Sequence, residues 1–372
     1  MGGDMQRTVK ALDGLRGAAA LLVVFYHVDL DFHRLTYARS GYLAVDLFFV
    51  LSGFVICGAY SSKMADGPSL WAFMLRRFGR LWPAHIVTSF LNYCVANVVM
   101  GVIASFSPGH VVPKILPTVQ EAASLLTMSQ GLHLFDHVFS TGVSWSTGDE
   151  FYVYILFGAL CLFARGKLRL AAFGAMALIG YAVAVWASFV PHHCAAGYRC
   201  MDLSYDYGWS RCLAGFFIGA LLAEFRDSAP VRALRAGPAQ CVALAAAVFI
   251  IAFAFQLPGL VFVAPIAFAL LVGSLSGDAG PVSALLQTTP FQYLGRVSYS
   301  LYLSYGVFGA LIHVAAAFRS PVDQAMVLAV FFYLSFALAH TLYNRVEAPC
   351  RARFHALADR LSGNQARAVS AG

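Results

Sequence analysis

The chain has 372 residues, 60% of them apolar and 12% charged, about half the charged share of an ordinary soluble protein. With a mean hydropathy of +0.71, the apolar residues exceed what one core can bury, so lipid has to solvate much of the surface and a soluble domain is excluded. The net charge of +7 arises from 25 basic residues scattered between apolar stretches; that distribution belongs to topology determinants and not to a polyanion-binding face, so nucleic acid is excluded as a partner.

Apolar runs of bilayer length predict an all-α bundle of ten transmembrane helices, at 11–29, 41–60, 82–104, 144–164, 170–190, 208–225, 239–256, 259–276, 295–317 and 324–346. The stretch from Ser105 to Ser144 is too polar to cross and forms the one large loop, and Pro258-Gly259 separates the seventh span from the eighth. With the N-terminus in the cytoplasm, 18 of the 25 basic residues fall on inside segments and five on outside segments, the bias expected of inside loops. One helix more or fewer inverts every later loop, so ten spans with both termini in the cytoplasm is the topology that keeps the bias. The first apolar run continues at spanning length without a small-residue cleavage site and is read as a retained helix. No internal repeat supports an inverted-repeat transporter.

The ionisable residues inside these spans are few, and each is costly in lipid, so each is a functional candidate. In the first span Arg16 and His27 lie eleven residues apart, a rotation of about 1100° that returns to within about 20° of one face, with a rise of about 16 Å. Arg16 sits at the inner end with Asp13 one turn before it as a pairing candidate, and His27 lies deep. Snorkelling explains a lone Arg and packing a lone His, but their alignment favours a shared polar seam. In the second span Asp46 shares a face with Gly53, where glycine permits close helix approach; Asp46 reads equally as an acceptor for a neighbouring helix and as a catalytic carboxylate.

Arg76, Arg77 and Arg80 form a cationic cluster in the next inside loop. Topology accounts for them, and so does a clamp of Arg77 and Arg80, one turn apart, on the phosphates of a cytosolic ligand. The fourth span opens with Asp149, placed at the exposed interface, and Glu150, which needs a partner; a deep His and a membrane-edge carboxylate are the components of a base and its orienter. Of the eight cysteines, Cys194 and Cys200 fall on an outside loop, as a disulfide or as two free thiols. His192 and His193 beside them have spacing too irregular for zinc, and no metal is expected.

These residues resemble the acyltransferase family 3 membrane proteins, the bacterial group that O-acetylates surface polysaccharides, lipopolysaccharide O-antigens, Nod factors and some antibiotics. Leu12-Asp13-Gly14-Leu15-Arg16-Gly17 and the helix on to His27 look like the family's signature of Arg, ten residues, His. Val45 to Phe54, Arg77 to Pro83, Trp145 to Tyr154, Arg211 to Ala223, Leu294 to Leu303 and Glu347-Ala348-Pro349 follow in the family's order. There is one departure. After Ser-Tyr-Ser-Leu-Tyr-Leu the family places a His, where this chain reads Ser304-Tyr305-Gly306, so the ninth span is given no catalytic role. The sequence stops soon after the tenth span, without the hydrolase-like domain some relatives carry, which leaves open whether the chain delivers the acyl group alone or through a separate partner.

The resemblance implies an O-acyltransferase of the bacterial inner membrane with acetyl-coenzyme A, or a related acyl-coenzyme A, as donor, no permanently bound cofactor, and a glycan or glycolipid as acceptor. Residues 1–350 form the acyltransferase domain and 351–372 a short basic cytoplasmic tail. Arg16, Arg77 and Arg80 bind the donor phosphates, a role the charge map suits on its own account because the donor is a cytosolic polyanion. His27 is general base, oriented by Glu150 or Asp46, or is itself transiently acylated. Assembly into homo-oligomers stays open. The competing reading is a proton-coupled exporter of a glycolipid or small solute, which uses the same side chains and is favoured by discontinuous helices; Pro258-Gly259 and Pro265 lean that way.

Overall fold

Every apolar run predicted to span falls on a helix in the computed structural model, which describes residues 9–32, 38–105, 115–194 and 199–370. Arg7, Arg34 and Lys114 of the charge count lie outside the described residues, as does the side chain of Arg367. In chain order the helices are α1 (Lys10–Phe32), α2 (Ala44–Tyr60), α3 (Gly67–Ser105), α4 (Val119–Thr127), α5 (Trp145–Phe163), α6 (Gly166–Phe189), α7 (Gly208–Glu224), α8 (Ala229–Leu234), α9 (Gly237–Phe253), α10 (Ala264–Leu275), α11 (Pro281–Leu286), α12 (Thr289–Val307), α13 (Ala310–Ala317), α14 (Pro321–Leu342) and α15 (Ala348–Ser370). No strand occurs among the described residues. Five helical stretches are long and apolar enough to cross a membrane, and α12 with α13, bent by 54° between them, makes a sixth. The count of ten goes beyond this measure by four helices: α3 and α5 are not among the qualifying stretches, and α7 and α9 have 17 residues each where a bilayer takes about 20.

Two ends of the bundle differ in character. At the basic end lie the start of α1, the end of α2, the junction of α7 with α8 and all of α15. At the disulfide end, Cys194 and Cys200 are bonded to each other. That loop is tied down by Tyr42, which donates to the Cys200 carbonyl (2.6 Å), and by Tyr26, which donates to Asp202 (3.0 Å). Small residues set the closest crossings. A Cβ on Gly53 would fall on the Phe216 carbonyl oxygen and one on Gly219 on that of Val50, so α2 and α7 touch backbone to backbone. Gly17 and Gly295 do the same for α1 and α12.

Two segments depart from the sequence-based expectation. The paired arginines are not in a loop: α3 runs unbroken through Arg76, Arg77, Arg80 and the internal Pro83. The carbonyl that Pro83 leaves without its helical donor belongs to Gly79, four residues back, where the missing side chain lets Phe354 pack. The C-terminal segment, expected as a short basic tail, is a helix packed on the bundle. After a π-helical turn at Tyr343–Glu347, α15 lies along α3, with Arg76 bonded to Asp359 at 2.5 Å. The polar stretch between α3 and α5 carries α4, capped by reciprocal bonds between Thr118 and Glu121.

Candidate functional site

A cavity of about 600 Å³ opens at the basic end between α1, α2, α3, α5, α12 and α15. Arg16, Arg77, Arg80, Arg226 and Arg351 line its mouth side. Ser52, Ser146, Thr147, Glu150, Tyr154 and Tyr302 line its depth. The cations are unequally partnered. Arg16 pairs with Asp13 at 2.9 Å, as the one-turn spacing suggested. Arg80 lines the cavity, but its guanidinium is paired with Glu347, which is fully buried and also accepts from the Ser300 hydroxyl at 2.6 Å. The π turn places Glu347 there, an example of such a turn at a functional position. Arg77 donates to the Tyr60 hydroxyl (3.2 Å) and stacks over the Tyr60 and Phe73 rings, with no carboxylate partner among the described residues. Of the three arginines expected to face a donor, Arg16 and Arg80 are each paired with a carboxylate and Arg77 is not.

His27 does not line this cavity. A tyrosine pair stands between them. In the cavity wall Tyr302 donates to the Val143 carbonyl (3.0 Å) and accepts from Ser146 (2.8 Å). Its ring meets that of Tyr305 at 6.1 Å, and the Tyr305 hydroxyl lies 3.2 Å from His27 Nδ1. Nδ1 also faces the Val23 carbonyl at 2.9 Å. A carbonyl can only accept, so the hydrogen sits on Nδ1, shared between Val23 and Tyr305, and Nε2 carries the lone pair. Nε2 has no hydrogen-bond partner among the described residues. A histidine fixed this way is prepared to take a proton at Nε2.

Neither carboxylate expected to orient that ring does so. Glu150 accepts from the Tyr154 hydroxyl at 2.5 Å, which also meets Ser52 at 2.8 Å, and so belongs to the cavity. Asp46 takes the acceptor role instead. Both its oxygens are held by Arg211, at 3.1 Å from Nε and 2.6 Å from Nη2. The backbone of helix α1 and Tyr305 orient His27, because the i−4 carbonyl of Val23 lies nearer to Nδ1 than any carboxylate. Asp149 is also displaced from expectation: it is fully buried, packed on Gly131 and Gly208, and neither of its oxygens has a hydrogen-bond partner among the described residues.

Comparison with known proteins places this geometry. Residues 9–342 match a family described as an acyltransferase domain, the acyltransferase 3 family. The chain belongs to that family. Among individual proteins, this acyltransferase 3 chain is similar to protein 2 in the picA locus of Rhizobium radiobacter, 44% identical over 93 residues, which are 24% of this chain and 48% of that one. It is also similar to the peptidoglycan O-acetyltransferase OatA of Listeria monocytogenes, 37% identical over 81 residues, 21% of this chain and 12% of that one. The matched stretch thus spans about half the length of the first relative and an eighth of the second. No solved structure matches the chain.

Within the acyltransferase 3 chain, sequence reasoning passed over Arg211, Glu347, Tyr302 and Tyr305 as site residues. Arg211 had a usable signal, a charge inside an apolar run opposite the unexplained Asp46. Tyr305 had one too, as the position where the family's His is missing.

Proposed function

We propose that this chain moves a short acyl group, acetyl or a close relative, from cytosolic acyl-coenzyme A to a hydroxyl of a glycan or glycolipid on the far side of the bacterial inner membrane. The observation that carries this reading is the polarity of one cavity. Its basic end suits the phosphates of a nucleotide donor, and its deep end, lined with hydroxyls, leads through Tyr302 and Tyr305 to His27. The pantetheine arm would run between them with the thioester at the level of Ser146. His27 Nε2 would take the acceptor hydroxyl's proton as that oxygen attacks the thioester carbonyl, and would give it to the coenzyme A thiolate released when the C–S bond breaks; Val23 and Tyr305 would hold the ring and share the charge of the imidazolium between the two transfers. The tyrosine pair would have to turn aside for the two substrates to meet. Ten spans with both termini in the cytoplasm, the orientation the basic residues favour, would put the cavity mouth on the donor's side.

The test is thermal stabilisation of the purified protein by coenzyme A together with loss of acetyl signals from surface glycans, read by NMR, on deleting the gene. A second reading, proton-coupled export, draws on the 54° break between α12 and α13 next to His27's partner Tyr305. A protein indifferent to coenzyme A over a wide concentration range decides for export.

A further inference from the structure

The wall of the cavity at its basic end comes from a helix beyond the family match, which stops at residue 342. α15 is held against α3 by the Phe354 ring, packed on Gly79 and 5.7 Å from the Phe78 ring, and by the Arg76 to Asp359 pair at 2.5 Å. These contacts turn Arg351 and His355, one helical turn apart, into the cavity. Arg351 has no ion pair or hydrogen bond among the described residues. The guanidinium groups of Arg77, Arg76 and Arg351 act on the His355 ring, with the Asp359 carboxylate opposing them, and Arg351, Arg16 and Arg77 act on the Arg80 guanidinium.

Folding gains nothing from crowding like charges around a cavity. Each adds repulsion that an anion relieves, and the acids beside these arginines are spent, Glu347 on Arg80, Asp13 on Arg16 and Asp359 on Arg76, while Glu150 lies in the depth of the cavity on Tyr154. We propose that α15 supplies the phosphate wall of the donor site, with Arg351 and His355 holding the nucleotide phosphates of an acyl-coenzyme A while the acyl end reaches towards Ser146 and Tyr302. This rests on the donor reading above. It assigns donor recognition in part to a segment beyond the stretch that the family match covers, residues 9–342.

The experiment titrates coenzyme A and 3′-dephospho-coenzyme A by calorimetry into the full chain in nanodiscs of neutral lipid, for the wild type, Arg351→Ala, His355→Ala, and Arg353→Ala as an exposed control on the same helix. Loss of its charge-assisted contact is expected to weaken coenzyme A by about tenfold in Arg351→Ala, loss of an imidazole hydrogen bond to weaken it by less in His355→Ala, with the control unchanged and the Arg351 difference shrinking in high salt. Arg351→Gln, which removes the charge and keeps part of the stem and an N–H donor, decides the matter if the alanine variant does not fold. Coenzyme A binding the Arg351 variants as tightly as the wild type overturns the proposal and leaves the donor reading standing. A wild type that binds no coenzyme A removes the donor reading itself. Melting that rises with added phosphatidylglycerol in the wild type but not in Arg351→Ala, with equal coenzyme A affinity, overturns the proposal in favour of a lipid headgroup.

Discussion

Arg211 and the arginines of the cavity carry the same group in opposite circumstances. Arg211 is 1% exposed and four of its five N–H donors are bonded, two to Asp46 and one each to the Leu203 and Tyr42 carbonyls, with the rings of Tyr42 and Trp145 against it. Arg77 donates only to a tyrosine hydroxyl, and Arg351 to nothing among the described residues. A nearly saturated guanidinium ties segments together and has little capacity left for a ligand; an unsaturated one in a cavity wall is open to an anion. The two kinds of arginine therefore divide structure from function, and the division can be tested.

The largest effect is expected at the saturated one. Arg211→Met strands Asp46 as an unpaired buried charge, a loss of about 3–5 kcal/mol for breaking one partner of such a pair. Thermal unfolding in detergent should show a severely destabilised protein, and Arg211→Met combined with Asp46→Leu should recover much of the loss. A single variant that melts like the wild type would move Arg211 into the functional class.

His27→Ala should invert that pattern. The ring is partly buried and held by one backbone carbonyl and one hydroxyl, so melting should change little, while acyl transfer should fall by about 10²–10⁴-fold, the worth of a positioned general base. Near-normal transfer would make His27 a packing residue. A smaller change is expected from Arg77→Lys, which keeps the charge and loses the planar fork. The apparent KM for the donor should rise by about tenfold at unchanged kcat and unchanged melting; identical donor kinetics would leave Arg77 as a topology signal.

The same contrast explains what the sequence could disclose. The helices were legible because lipid imposes an apolar run on every span, and the pairing of Arg16 with Asp13 because i to i+3 spacing is local, whereas the seam expected to join Arg16 to His27 stops short, since His27 does not line the cavity. The pairings of Asp46 with Arg211 and of Arg80 with Glu347 join residues 165 and more than 250 positions apart, and no local pattern encodes which distant charge will neutralise which. Asp46 was therefore open between two roles until Arg211 was seen on it. The orienter of His27 was missed for a different reason: a carbonyl of its own helix carries no sequence signature, so the search turned to carboxylates. Residues 351–372 were expected only as a short basic cytoplasmic tail, because no local pattern announces that Phe354 packs on the distant Gly79 and brings Arg351 and His355 to the cavity.

The smallest effect is expected where charge pairs meet open water, at the loop that joins α4 to α5. His137 donates to Asp136 (2.8 Å) and to Glu121 (2.9 Å), and Glu121 caps α4 through Thr118. The bond to Asp136, then that to Glu121, raises the imidazole above its ordinary 6.5, and the bond to His137 lowers both Asp136 and Glu121 below their ordinary values. The signs are opposite in pH. The contribution of His137 is complete below its unfolded value and disappears as pH rises through its raised one. That of the carboxylates is complete above their unfolded values, 3.8 and 4.5, and disappears as pH falls through their lowered ones. The loop is thus held best between about pH 4.5 and 6.5 and loosens on either side, mildly, since His137 and Asp136 face solvent and are screened by salt. Hydrogen exchange across 119–141, corrected for its intrinsic dependence on pH, should show protection with a maximum in that window in the wild type and a flat profile in His137→Gln. Matching profiles in the two proteins would mean that this ion cluster, unlike Arg211, holds nothing in place.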